Sequence, residues 1–287
     1  MSYIEHRIPL ADGLKLYLRE YPAHGAAQRA PVICLPGLTR NSADFEVVAP
    51  RIAALGRRVV VPDLRGRGHS DYDPDPSRYR PDVYLQDALY ALDMLDIPAA
   101  VFVGTSLGGL ITMLAGAMAP DRVVAAVIND IGPVIDPAGL ARIASYVGRS
   151  GPFAAWPELI ETIKRTQSAA FPDAVEADWR TFAHRVARER PDGKVAFAYD
   201  PAIAQSFAQP QDAPPPSFLP MFQALAKKPV LLVRGALSDI LAADGVAVMR
   251  QEKPDLDVVE LPRIGHAPTL EEPAAWHAIA GFLARVP

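Results

Sequence analysis

The first feature of this chain with chemical consequence is a serine with a glycine two residues to either side. Val103-Gly104-Thr105-Ser106-Leu107-Gly108-Gly109 contains G-x-S-x-G, a pattern that gains meaning where a strand enters it and a helix leaves it. A side chain at either glycine would strike the neighbouring strand or helix, and glycine tolerates the dihedrals of so tight a turn. Ser106 is then lifted clear of a sheet at a helix N-terminus, where free N–H groups favour negative charge. A glycine-rich packing turn or a dinucleotide loop draws on similar residues. The spacing Gly104, Gly108, Gly109 is not G-x-G-x-x-G, however, and no Walker A pattern occurs. The expectation is a nucleophile.

A serine hydroxyl needs a base, most often a histidine held by a carboxylate. Six histidines compete. His6 lies near the amino end, His24 in a Gly-Ala turn, His184 and His277 on helical patterns, and His69 in a loop. His266 follows the apolar run Leu256–Leu261 through a short loop. That places it at the carboxyl edge of the last strand, the edge on which Ser106 stands. Two strand ends offer the carboxylate. Val230–Val233 leads on to Asp239, and Val123–Ile128 leads into Asp130. Asp239 gives the chain order Ser…Asp…His and is the preferred partner; Asp130 is then expected to anchor the segment that follows it. The oxyanion donors should be the backbone N–H groups of Leu107, just after the nucleophile, and Leu38, in the loop Pro36-Gly37-Leu38-Thr39.

The elements that must hold these residues follow from the apolar pattern. Strands are expected at Ile4–Pro9, Leu14–Tyr21, Pro31–Leu35, Arg58–Val61, Ala99–Val103, Val123–Ile128, Pro229–Val233 and Leu256–Leu261. Helices are expected near Ser42–Leu55, after Pro81, at Leu107–Ala119, Ala243–Gln251 and Pro273–Arg285. Strands alternating with helices imply parallel crossovers and a sheet covered on both faces. From residue 133 to 227 the alternation stops. Helical stretches appear around Trp156–Ala169, Ala174–Arg188 and Ser217–Ala226, with Pro210, Pro214, Pro215, Pro216 and Pro220 forming a stiff linker. The chain therefore divides into a core, 1–132 with 228–287, and a helical insertion, 133–227, above the sheet edge where ligands bind.

Composition narrows the setting. Of 287 residues half are apolar, and the net charge of −4 offers no field for phosphates, so nucleic acid is excluded as a partner. A single cysteine, Cys34, forbids an intramolecular disulfide, and the opening MSYIEHRIPL lacks a signal-peptide core, so a cytoplasmic home is expected. Ile97–Pro120 carries no charge, yet the glycines at its centre split it into strand and helix rather than a membrane span.

Taken in order, Leu35-Pro36-Gly37-Leu38, the loop Asp63-Leu64-Arg65-Gly66-Arg67-Gly68-His69-Ser70, Val103–Gly109, Val233–Asp239 and Gly265-His266 resemble the α/β-hydrolase superfamily over nearly the whole chain. The resemblance implies an eight-stranded, mostly parallel sheet with helices on both faces, a helical cap, and a Ser106–His266–Asp239 triad. Pro36-Gly37 stands where many members carry His-Gly. The serine excludes the branch with an aspartate nucleophile. No cofactor or metal is required, and no H-E-x-x-H spacing is present. The expected activity is cleavage of a small carboxylic ester or lactone. The same triad would serve a C–C bond hydrolase of aromatic breakdown, and the fold also hosts small-molecule receptors with little turnover. Aromatics such as Trp156, Phe171, Trp179, Phe218 and Phe222 concentrate in the insertion, either as an apolar or aromatic acyl pocket or as the insertion's own core.

Overall fold

The computed structural model describes residues 2–25, 29–207 and 218–287. Strands β1 (Ile4–Pro9), β2 (Lys15–Tyr21) and β3 (Val32–Leu35) precede α1 (Val48–Ala54), β4 (Val59–Pro62) and α2 (Pro81–Met94). Next come β5 (Ala100–Thr105), α3 (Leu107–Met118) and β6 (Val123–Asn129). The stretch that follows holds α4 (Pro137–Tyr146), α5 (Trp156–Gln167), α6 (Glu176–Val186), β7 (Ala187–Glu189), β8 (Val195–Phe197) and α7 (Leu219–Gln223). β9 (Val230–Gly235), α8 (Ala243–Glu252), β10 (Asp257–Leu261) and α9 (Pro273–Arg285) complete the order.

Eight strands form one sheet in the order β1-β2-β4-β3-β5-β6-β9-β10. β2 runs antiparallel to both its neighbours, β1 and β4, and the remaining pairs are parallel. The parallel strands read as continuous apolar runs because both faces are covered. In β5, Ala100 and Phe102 pack with Leu85, Ile111 and Met249 on one side of the sheet. Val101 and Val103 point the other way, onto Ile52, Ile279 and Phe282. Helices α2, α3 and α8 therefore cover one face, and α1 and α9 the other. No helix among the described residues is long and apolar enough to cross a membrane.

Two expectations need correction. The helix near Ser42–Leu55 is broken into a 3-10 turn, Ser42–Phe45, and α1. The break is local chemistry: Asn41 caps the turn by accepting the Ala43 N–H, and the Ser42 N–H is taken by the Asp63 carboxylate. The stretch after β6 is not wholly helical either. β7 and β8 pair as a hairpin across Pro191-Asp192-Gly193, where Gly193 has φ +77°. That turn signature is legible in the sequence. This stretch has a small core of its own around Leu159, Ile163, Trp179 and Val195. Of the proline linker, Pro210, Pro214, Pro215 and Pro216 lie outside the described residues; Pro220 lies in the first turn of α7.

The sheet edge carrying His266 is tied down through α9. Arg57, fully buried, donates from Nη1 to the carbonyls of Ala30 (2.7 Å) and Pro287 (2.6 Å), and from Nη2 to those of Leu283 (2.8 Å) and Val286 (2.7 Å). A guanidinium suits this task because its fixed fork of donors meets several orphan carbonyls at a helix end. Replacing Arg57 by Met should lower unfolding free energy by about 2–4 kcal/mol, read from the urea midpoint; an unshifted midpoint would contradict the clamp.

Candidate active site

Ser106 sits between the last residue of β5 and the first of α3, at φ 52° and ψ −111°. A non-glycine residue there stores about 1–3 kcal/mol of strain, so the surroundings must impose it. They do so by close approach. A Cβ on Gly104 would lie 2.2 Å from the Gly108 carbonyl oxygen, and one on Gly108 would lie 2.1 Å from that of Leu35. The Ser106 N–H donates to the Asn129 carbonyl at 2.9 Å, locking the turn against β6.

The carboxylate comes from that neighbouring strand. Thr105 and Asn129 are register partners, so Ser106 and Asp130 leave β5 and β6 at the same level. Asp130 is fully buried, with φ 57°, and its own N–H donates to the Val233 carbonyl at 2.8 Å. Its Oδ1 accepts the Gly235 N–H at 2.8 Å, and Oδ2 lies 2.9 Å from His266 Nδ1. An ionised carboxylate offers only lone pairs, which puts the imidazole proton on Nδ1. Nε2 is left as an acceptor, 2.8 Å from Ser106 Oγ. The three side chains form one hydrogen-bonded line.

Asp239 is not in that line, contrary to the expectation from chain order. It lies four residues beyond the end of β9, where Ser238 folds the chain back by donating its N–H to the Gly235 carbonyl. Its carboxylate instead accepts from Nε and Nη2 of Arg142, on α4. Burial works against its charge, yet the Arg142 hydrogen bonds and charge hold the Asp239 carboxyl below its ordinary value. The usable sequence signal is offset from the strand: Ser106 and Asp130 each come directly after one, and Asp239 does not. Three of the other histidines have different work. His6 meets Glu20, His69 packs on the Tyr17 ring, and His184 lies against Trp156.

Leu38 and Leu107, the expected oxyanion donors, flank Ser106. Gly37 brings the Leu38 loop in: a Cβ there would lie 3.8 Å from Ser106 Cβ. Among the described residues neither N–H is taken by another protein group. A brace that sequence reading did not assign is Arg67, fully buried, whose Nε donates to the Leu38 carbonyl at 2.8 Å. Its own loop is pinned by Asp63, which accepts the N–H groups of Ser42 and His69; burial nonetheless pushes that carboxyl up. Asn129 is a second unassigned residue. Its amide donates to Thr105 Oγ1 (3.0 Å) and to the Pro268 carbonyl (2.8 Å), joining the serine strand to the histidine loop.

Ser106 and His266 open onto a cavity of about 140 Å³. Phe45, Ile143, Ile163, Phe171, Phe182 and Phe197 supply apolar wall. Trp179 belongs instead to the small core behind it, so the aromatics of this stretch divide between the two expected uses. Two guanidinium groups line the cavity, and both are matched. Arg40 holds Asp44 through two bonds, 2.8 and 2.7 Å, over the Phe182 ring. Arg185 holds Glu46 (2.8 Å) and Glu271 (2.7 Å), and these carboxylates outweigh burial to raise its pKa. Among the described residues no three His, Cys, Asp or Glu side chains cluster to hold a metal ion. Chemically, the arrangement can take a proton from Ser106 while the hydroxyl oxygen attacks an acyl carbon.

Comparison with known proteins places the fold. A family model described as alpha/beta hydrolase fold matches residues 30–273. A protein of Cupriavidus necator named 3-hydroxybutyrate-oligomer hydrolase is 33% identical over 250 residues, covering 85% of this chain and 84% of its own. A 2-(acetamidomethylene)succinate hydrolase of Mesorhizobium japonicum is 30% identical over 234 residues, 80% of this chain and 79% of its own. A crystal structure of an alpha/beta hydrolase from Novosphingobium aromaticivorans superposes with a TM-score of 0.92 at 44% identity, covering 99% of each chain.

The two carboxylates make opposite predictions for Ser106 reactivity. Asp130→Asn should slow its phosphonylation by a fluorophosphonate by about 10³–10⁴-fold, the cost of the wrong imidazole tautomer. Asp239→Asn should leave that rate nearly unchanged; the reverse pattern would return Asp239 to the line.

Proposed function

The chain belongs to the alpha/beta-hydrolase family, and from that premise we propose that it is a serine esterase. It cleaves a small carboxylic ester or lactone through an acyl-enzyme on Ser106. The observation that carries this reading is the Asp130–His266–Ser106 line opening onto a cavity whose charges are paired.

In this mechanism Ser106 Oγ attacks the ester carbonyl as its proton passes to His266 Nε2. The imidazolium is stabilised by Asp130, whose second oxygen stays bonded to the Gly235 N–H. The negative oxygen of the tetrahedral intermediate is received by the N–H groups of Leu38 and Leu107, aimed where charge develops. His266 then hands the proton to the leaving alkoxide, and the C–O bond breaks. Water, activated by the same imidazole, releases the acid and restores Ser106.

Residues 133–227 act as the cap in this reading, supported by their own core and by the wall they contribute from Ile143, Ile163, Phe171 and Phe197. A neutral acyl group fits that wall, since the arginines lining it are already matched by carboxylates. The 33% identical relative is named for hydrolysis of 3-hydroxybutyrate oligomers, which makes esters of short hydroxy acids the first class to test. The expected result is turnover of p-nitrophenyl butyrate by the wild-type protein, falling by about 10⁴-fold or more in Ser106→Ala. A correctly folded wild-type protein that stalls after one equivalent of nitrophenol would favour a receptor instead.

A further inference from the structure

A second recess, of about 450 Å³, adjoins the cavity above Ser106. Ser150, Phe197 and Tyr199 line both, so the two spaces meet at these three side chains. The chain that carries Phe197 and Tyr199 is held in place from behind. The Gly68 N–H donates to the Ala198 carbonyl (2.7 Å) and the Asp200 N–H to that of Gly66 (2.8 Å), stitching the strand end to the loop that braces Leu38. The Tyr199 hydroxyl accepts the Gly148 N–H at 3.0 Å, and its ring stacks on Phe197.

The two spaces differ in charge. Around Ser106 both guanidinium groups are matched by carboxylates. In the recess, Glu189 accepts the Trp156 indole N–H, and Arg190 lies 3.4 Å from Asp192. Arg188 has no carboxylate partner among the described residues. Its guanidinium is oriented by the Gly68 carbonyl (2.9 Å) and the Tyr72 hydroxyl (3.4 Å), which leaves donors of its five to spare. A guanidinium held in place with free donors suits a carboxylate, which it can meet through two parallel bonds.

We propose that this recess receives the leaving half of the substrate, and that Arg188, in its lining, binds a carboxylate of that half. The inference rests on the esterase reading and narrows its substrate to a linear ester of hydroxy acids, cut toward the free-acid end. Ser106 Oγ bonds to the acyl carbon and the ester C–O bond breaks. The serine proton, carried by His266, goes to the leaving oxygen. The first product is a hydroxy acid with its carboxylate still on Arg188, and water then frees the acyl half.

The test compares a linear 3-hydroxybutyrate trimer as the free acid with the same trimer ending in a carboxamide, which keeps every ester bond and removes the charge. The wild-type protein should prefer the free acid by about tenfold in kcat/KM, through KM, with the preference shrinking as salt is added. Arg188→Gln should bring the ratio near one, and Arg188→Lys should keep part of it. A wild-type ratio near one, or a full preference surviving in Arg188→Gln, overturns the proposal. If the wild-type protein turns over p-nitrophenyl butyrate in that same case, the esterase reading stands and this inference alone falls. No turnover of any ester would remove both.

Discussion

Everything at the site depends on holding Ser106 in a left-handed backbone conformation at the junction of β5 and α3. That conformation is costly for a residue with a side chain, and it persists because three pieces of backbone crowd around it. Gly104 faces the first turn of α3, Gly108 faces the end of β3, and the Ser106 N–H is bonded to β6. The same crowding aims the hydroxyl outward at a helix N-terminus. Strain, access and nearness to the N–H groups of Leu38 and Leu107 are thus one constraint seen from three sides.

The parallel register extends that constraint to the acid. With Thr105 opposite Asn129, the residue after each strand falls at one level, and both carry positive φ. Asp130 then needs no loop to reach His266. It is fully buried and spends each oxygen on one N–H donor, which satisfies the carboxylate and fixes the imidazole tautomer together. Asp239, set on a turn, is free to join α4 to the core through Arg142. Matching of charge continues around the cavity, where Arg40 and Arg185 are each engaged by carboxylates. Arg188, in β7, has no carboxylate partner among the described residues.

Much of this was legible in the residues. The inner strands β3, β4, β5, β6 and β9 could be read from apolar runs, because strands buried on both faces leave few polar residues to blur them. The glycines around Ser106 and the place of His266 after the last strand marked the site's edge. Asp239 was preferred because chain order was weighed above offset from the strand end, a signal the sequence does carry; the register that sets Asp130 level with Ser106 is the part no local pattern encodes. Arg67 and Asn129 stayed unassigned for a related reason. Their partners, the Leu38 and Pro268 carbonyls, are far away in sequence, and backbone acceptors leave no mark on composition. The hairpin β7–β8 was different: Pro191-Asp192-Gly193 carried a turn signal, but the helical pattern over Ala174–Arg188 was extended up to it and the hairpin was missed.

Among the described residues Asp130 is the carboxylate against His266 Nδ1, and the proposed chemistry requires the proton between them. Proton NMR of the imidazole N–H region tests it directly, because a proton shared between Nδ1 and a buried carboxylate resonates far downfield and exchanges slowly. The wild-type protein and Asp239→Asn should both show this resonance, and Asp130→Asn should lose it. A resonance that survives Asp130→Asn and disappears in Asp239→Asn would contradict the account.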